Sequence, residues 1–93
     1  MKIINPAQAG TFESSDILIL VQANEGKSGR FLEIDSSVLS EYGDSIRETI
    51  NSVLDEFGVD DIHLIAKDKG ALIPTIKART ETAIKRSEQR VSG

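Results

Sequence analysis

The sequence predicts a small α+β domain in the order β-β-α-β-α, with two helices packed on one face of a three-stranded mixed sheet. Three observations predict it. Two short runs of branched apolar residues precede residue 36, and a helical apolar period then takes over. A third short run separates that stretch from a second, weaker helical stripe. At 93 residues, with no repeat and no linker, the chain is expected to form one domain, 1–93. A domain of that length hides roughly 60–65% of its unfolded surface, enough for one modest core.

Residues 1–15 carry no sustained period, and Pro6, Gly10, Thr11, Ser14 and Ser15 favour irregular structure. Residues 16–23 are rich in branched apolar side chains and too short for a helix, so a strand apolar on both faces is expected. A polar loop, 24–29, leads to a second strand at 30–35; a loop this short favours an antiparallel hairpin. Leu39, Tyr42, Ile46, Ile50, Val53 and Phe57 then recur at spacings of 3, 4, 4, 3 and 4, one face of a helix, with Leu54 widening the stripe. The helix is expected over 37–57, capped by Ser36 or Ser37 and stopped at Gly58. A kink is expected near Gly43, with Asp44 as a second N-cap.

Residues 61–67 form the third expected strand, and Asp68-Lys69-Gly70 a turn. Pro74 suits the first position of the last helix, which makes Ile73 its N-cap. Ile76, Thr80, Ala83 and Ile84 supply its buried stripe, while Lys85, Arg86 and Arg90 suit its negative end. Residues 90–93 read as a frayed tail. If the second and third strands share a sheet, the helix between them makes a right-handed parallel crossover.

Eleven basic against fifteen acidic residues leave a net charge of −4, which disfavours nucleic acid as a partner. With no cysteine, disulfides, thiolate metal sites and a protein thiol nucleophile are all excluded. The opening Met1-Lys2-Ile3-Ile4-Asn5-Pro6 lacks the apolar run of a signal peptide. The longest apolar run, Ile17 to Val21, falls far short of the ~20 residues that cross a bilayer. No membrane partner and a cytoplasmic location are expected.

Four constellations carry no chemistry on this reading. His63, the single histidine, has no cysteine and no second histidine to complete a metal set and reads as structural. Gly26-Lys27-Ser28 resembles the end of a phosphate loop, but Val21 stands where the first glycine belongs and a strand follows instead of a helix. The carboxylates of Asp55, Glu56, Asp60, Asp61, Glu81 and Glu88 read as solvated faces, with Glu81 and Lys85 spaced to pair along a helix. Asp44-Ser45-Ile46 has the form in which helical acyl carriers present a phosphopantetheine serine at a helix N-terminus. The two strands that open this chain speak against such a bundle, and Asp44 as a plain N-cap explains the same letters.

The segment Ala9-Gly10-Thr11-Phe12-Glu13-Ser14-Ser15-Asp16, ahead of the apolar run, resembles the Gly-Thr-x-Glu-Ser-x-Asp segment of the citrate lyase acyl carrier (gamma) subunit family. Asn5-Pro6-Ala7, Ser36-Ser37-Val38, Tyr42 to Arg47, Asp68-Lys69-Gly70-Ala71-Leu72 and Lys77-Ala78-Arg79 continue the resemblance over residues 3–80.

This resemblance implies that Ser14 carries a 2'-(5''-phosphoribosyl)-3'-dephospho-CoA arm, covalently attached through a phosphodiester to its hydroxyl. A thioester needs a thiol, and this chain has none, so a cofactor must bring it. A serine hydroxyl is a poor nucleophile without an activating base, so a separate prosthetic-group transferase is implied. Gly10, Thr11, Glu13 and Asp16 form the recognition motif; the two carboxylates serve either to be read by the transferase or to keep the loop solvated. The implied partners are the citrate lyase alpha and beta subunits. Alpha exchanges acetyl for citryl on the arm, and beta cleaves citryl to oxaloacetate and restores acetyl. The chain itself is expected to be non-catalytic. Carriers of malonate decarboxylase or citramalate lyase are the near alternatives; an adaptor domain binding a partner strand at its sheet edge is the distant one. An enzyme dependent on His63 ranks third.

Overall fold

Ile62, Leu64 and Ala66 are wholly buried and alternate with the half-buried His63, Ile65 and Lys67, so one strand has a covered and an open face. The computed structural model describes residues 2–36 and 39–88, the side chains of 39–42 excepted. In chain order the elements are β1 (Ala7–Gly10), β2 (Ile17–Gln22), β3 (Arg30–Ser36), α1 (Leu39–Glu56), β4 (Ile62–Asp68) and α2 (Ile73–Glu88). The sheet is four-stranded, ordered β1-β2-β4-β3. Both helices pack on its covered face, where β1, β2, β4, α1 and α2 all contribute to one apolar cluster.

The α+β class holds, and the strand count rises from three to four. β1 lies within residues expected to be irregular. Its Ala-Gln-Ala-Gly sequence has little strand preference of its own. It becomes a strand because β2 offers an edge, in antiparallel register from Ala7↔Val21 to Gly10↔Leu18. Contacts to α2 secure it: Asn5 N–H donates to the Ser87 carbonyl (3.0 Å) and Arg86 to the Gln8 carbonyl (2.9 Å).

The expected β2–β3 hairpin does not form. β4 lies between the two strands, antiparallel to β2 and parallel to β3, so the crossover through α1 does join parallel neighbours. A connection of residues 23–29, at up to ~3.3 Å per residue, easily reaches past one strand of ~4.8 Å width. Loop length alone therefore left the pairing open.

α1 runs without a break through Gly43 and Asp44, so Asp44 lies inside the helix and is not a second N-cap. Ile46, Ile50, Val53 and Leu54 are buried as the stripe predicts. Ser36 closes β3 and donates its hydroxyl to Asp68 Oδ2; Ser37, the other expected cap, lies outside the described residues. At the far end Gly58 takes a φ of 63°, with Gly58 N–H on the Asp55 carbonyl and Val59 N–H on the Leu54 carbonyl. That pair of bonds is the Schellman arrangement, and buried Val59 and Leu54 seal it.

α2 begins one residue earlier than expected. The Leu72 carbonyl accepts from Ile76 N–H at 3.0 Å, which makes Leu72 the cap and leaves Pro74 in the first turn. Ile76, Thr80, Ala83 and Ile84 are buried as foreseen, joined by Ser87. Thr80 and Ser87 satisfy their hydroxyls on the carbonyls of Ile76 and Ile84. Among the described residues Glu81 and Lys85 form no ion pair, and Arg90 lies outside those residues. No helix is long and apolar enough to cross a membrane among the described residues.

Candidate functional site

The connection from β1 to β2 doubles back within residues 11–16, and two glycine-like backbone positions make that possible. Gly10 has a φ of 91°, and Ser15, a non-glycine, has a φ of 66°. Asp16 N–H closes a turn onto the Glu13 carbonyl at 3.2 Å, which places Ser14 and Ser15 at its two central positions. Ser14 is exposed there.

The turn is braced from two sides. Ser15 N–H donates to the Lys69 carbonyl (2.8 Å), and Lys69 N–H donates to the Asp16 carbonyl (2.9 Å). These bonds fasten the turn to the segment between β4 and α2. The second brace is the Asp16 carboxylate. Arg79 of α2 donates from Nε to Oδ1 at 3.1 Å and from Nη2 to Oδ2 at 3.0 Å, a two-pronged ion pair. Thr11 Oγ1 donates to Oδ2 (2.8 Å), and Ile17 N–H to Oδ1 (2.7 Å). Thr11 Oγ1 in turn accepts from Glu13 N–H at 3.3 Å.

The motif thus divides by what its residues bond. Thr11 and the half-buried Asp16 hold the loop through their hydrogen bonds, Gly10 lets β1, Ile17 and Arg79 approach closely, and Glu13 and Ser14 are exposed. Arg79, 63 positions from Asp16, braces the turn through a contact that spacing could not have found. Lys77-Ala78-Arg79 was visible as a matching block, but nothing local connects it to the turn.

Those bonds, led by the one from Arg79 and opposed by burial, lower the Asp16 pKa from 3.8 to about 2. The folded value lies below the unfolded one, so this stabilisation is present above about pH 4 and is lost as pH falls towards 2. Solvent reaches the pair, so its worth is of order 1 kcal/mol. Asp16→Asn is expected to lose about that much at pH 7, and the difference from wild type should shrink steadily as pH falls from about 4 through 2. Urea midpoints across that range check it; an unchanged difference at low pH would assign the loss to packing instead.

Phe12 is 52% exposed. The ammonium groups of Lys69 and Lys67 lie 4.8 and 5.8 Å from its ring centroid. Exposed serine, aromatic ring and two cations therefore share one end of the sheet.

The remaining candidates lie elsewhere. His63, on the open face, bonds Glu33 through Nε2 (2.7 Å) and Gln22 through Nδ1 (2.9 Å), with Phe31 edge-on at 5.1 Å. Gly26-Lys27-Ser28 sits in the loop before β3. Ser45 stands inside α1, six residues past its start, so it is not at a helix N-terminus. No cluster of three potential metal ligands occurs among the described residues.

The chain is thus a packed α+β body that holds the exposed Ser14 out on a braced turn between β1 and β2. The malonate decarboxylase delta subunit (MdcD) family matches residues 4–87. The citrate lyase acyl carrier protein of Treponema denticola is 43% identical over 90 residues, covering 97% of this chain and 100% of that protein. That of Edwardsiella ictaluri is 44% identical over 92 residues, covering 99% and 93%. A chain in the crystal structure of a Pseudomonas malonate decarboxylase hetero-tetramer in complex with malonate shares the fold, with a TM-score of 0.71 at 17% identity over 94% of this chain and 92% of that one. The chain belongs to the citrate lyase acyl carrier protein family.

Proposed function

We propose that this chain is the acyl carrier of a citrate lyase, bearing a phosphoribosyl-dephospho-CoA arm on Ser14. The observation that carries the proposal is the exposed Ser14 hydroxyl on a turn held by four bonds to Asp16 and two backbone bonds to Lys69. An exposed hydroxyl of this kind fits the group, since it can take a phosphodiester. The group, when bound, supplies the thiol that a chain without cysteine lacks.

The chain's own residues anchor and present. Arg79, Thr11 and the Ile17 N–H occupy both Asp16 oxygens and hold its pKa well below the usual carboxylate range, which makes it a poor base for the Ser14 proton. That task falls to the transferase, and Glu13, exposed beside Ser14, is the carboxylate left for it to read. A tethered carrier replaces free diffusion with a high local concentration at each catalytic subunit, provided the span fits. The partners on this reading are the alpha and beta subunits that convert citrate to acetate and oxaloacetate in the cytoplasm. The match to the malonate decarboxylase delta subunit family favours a second reading, the same role in a malonate decarboxylase.

Co-expression with the transferase and the arm's precursor is expected to raise the intact mass by one arm. Peptide mapping should place the addition between Ala9 and Asp16. Reassembly with catalytic subunits, offered citrate or malonate, separates the two readings. An unchanged mass would overturn both and leave an adaptor using the edges of β1 and β3.

A further inference from the structure

Ser14 and Ser15 stand side by side, and exposure does not tell them apart, since both are exposed. What separates them is the backbone. They are the two central residues of the turn closed from Asp16 N–H to the Glu13 carbonyl. Ser15 takes the second of these places with a φ of 66°, a place that glycine or asparagine ordinarily fills. A serine stays in that conformation only where its surroundings hold it there. Two features do so. The Lys69 carbonyl accepts from Ser15 N–H, and the next residue, Asp16, is gripped by Arg79.

Arg79 reaches both ends of the loop. Its guanidinium donates to the two Asp16 oxygens at 3.1 and 3.0 Å, and its Cδ lies 3.3 Å from where a Cβ would stand on Gly10. One side chain from α2 therefore spans the neck of the loop, from the residue that opens it to the residue that closes it. The Lys69 bonds are made by backbone, whereas this grip depends on the side chain. A lysine would keep the charge but not the two-pronged fork.

We propose that Arg79 is a positioning residue that decides which of the two serine hydroxyls receives the arm. This rests on the reading of Ser14 as the anchor and adds how the choice between neighbours is made. By fixing Asp16, Arg79 keeps Ser15 in the left-handed conformation, and the turn presents Ser14 to the transferase in one orientation. Without that grip Ser15 relaxes to negative φ, and both hydroxyls come within the transferase's reach. The reaction is the same at either serine. The oxygen displaces the leaving group from the activated phosphate of the arm's precursor. That group departs with the bonding electron pair, and the hydroxyl proton goes to a base on the transferase.

Arm addition to the full chain, with the transferase and the precursor, tests this by intact mass and peptide mapping. Wild type is expected to carry the arm on Ser14 alone. Arg79→Gln is expected to lower kcat/KM for addition by about tenfold, the cost of a reacting group no longer held in place, and to carry part of the arm on Ser15. Ser14→Ala combined with Arg79→Gln should gain the arm on Ser15, whereas Ser14→Ala by itself gains none. Amide hydrogen exchange at Ser15 and Asp16 should quicken in Arg79→Gln before any arm is added. Because Arg79 acts through Asp16, adding Asp16→Asn to Arg79→Gln should cost nothing further. Lys77→Gln, which removes another half-exposed cation of α2, should leave rate and site unchanged. Arg79→Lys keeps the stem beside Gly10 and should also mislay the arm, which keeps the test open where Arg79→Gln does not fold. Addition to Ser14 alone in both Arg79 variants would overturn the inference and leave Ser14 as anchor. A further loss in the double variant with Asp16→Asn would overturn it as well, by making Arg79 a direct contact of the transferase. A wild type that gains no arm would instead bring down the carrier reading, and this inference with it.

Discussion

Ser14→Ala is expected to leave a folded domain that never acquires the arm. The side chain is exposed at a turn, so its loss should shift stability by no more than ~0.5 kcal/mol. Attachment requires its oxygen, and the neighbouring hydroxyl is not equivalent. Ser15 occupies the position with φ of 66°, and its N–H is spent on the Lys69 carbonyl. Ser15→Ala should therefore gain the full mass of the arm, whereas Ser14→Ala should show none by intact mass spectrometry. In a reassembled complex, turnover with Ser14→Ala should fall to that of the catalytic subunits alone. Arm on the Ser14→Ala chain, together with full turnover, would defeat the proposed function.

Gly10→Ala should have the largest effect on folding. A Cβ at this position would lie 1.8 Å from the Ile17 carbonyl oxygen and 3.3 Å from Arg79 Cδ. The first of these is backbone and cannot swing aside, because Ile17 is fully buried at the start of β2 and Gly10 is paired with Leu18. The φ of 91° adds the cost that any L side chain meets there. Overpacking and backbone strain together should remove about 3–5 kcal/mol. A domain of this size is stable by roughly 5–14 kcal/mol, so the variant should unfold at much lower urea or fail to accumulate. Circular dichroism against urea checks the size of the loss. A midpoint within error of wild type would mean that β1 and the turn part company in solution. The Asp16–Arg79 pair, which spans the same junction, should weaken with it.

Much of the fold was legible because its signals are local. The α1 stripe predicted its buried residues from Ile46 to Leu54, and the branched runs at 16–23, 30–35 and 61–67 each became a strand. The turn motif was legible as letters, and Ser14 did emerge exposed within it. Its mechanics were not. Asp16 offered two roles to a reader of the sequence, and only the approach of Arg79 from α2 gives its carboxylate a partner on both oxygens. Phe12, Lys67 and Lys69 were unremarked for the same reason: β2 and β4 had to pair before the ring and the ammoniums could meet.

From the sequence by itself came the class of fold, the kinds and order of the longer elements, the family resemblance and the serine it singles out. Each depends on periodicity, turn chemistry or motif within a short stretch of chain. Tertiary structure alone decided that Ala7–Gly10 is a strand, that β4 separates β2 from β3, and that Arg79 and Lys69 brace the turn. Those outcomes depend on which surfaces bury the most apolar area together, a competition among segments far apart in the chain. A strand as plain as Ala-Gln-Ala-Gly carries no trace of that competition until its neighbour is in place.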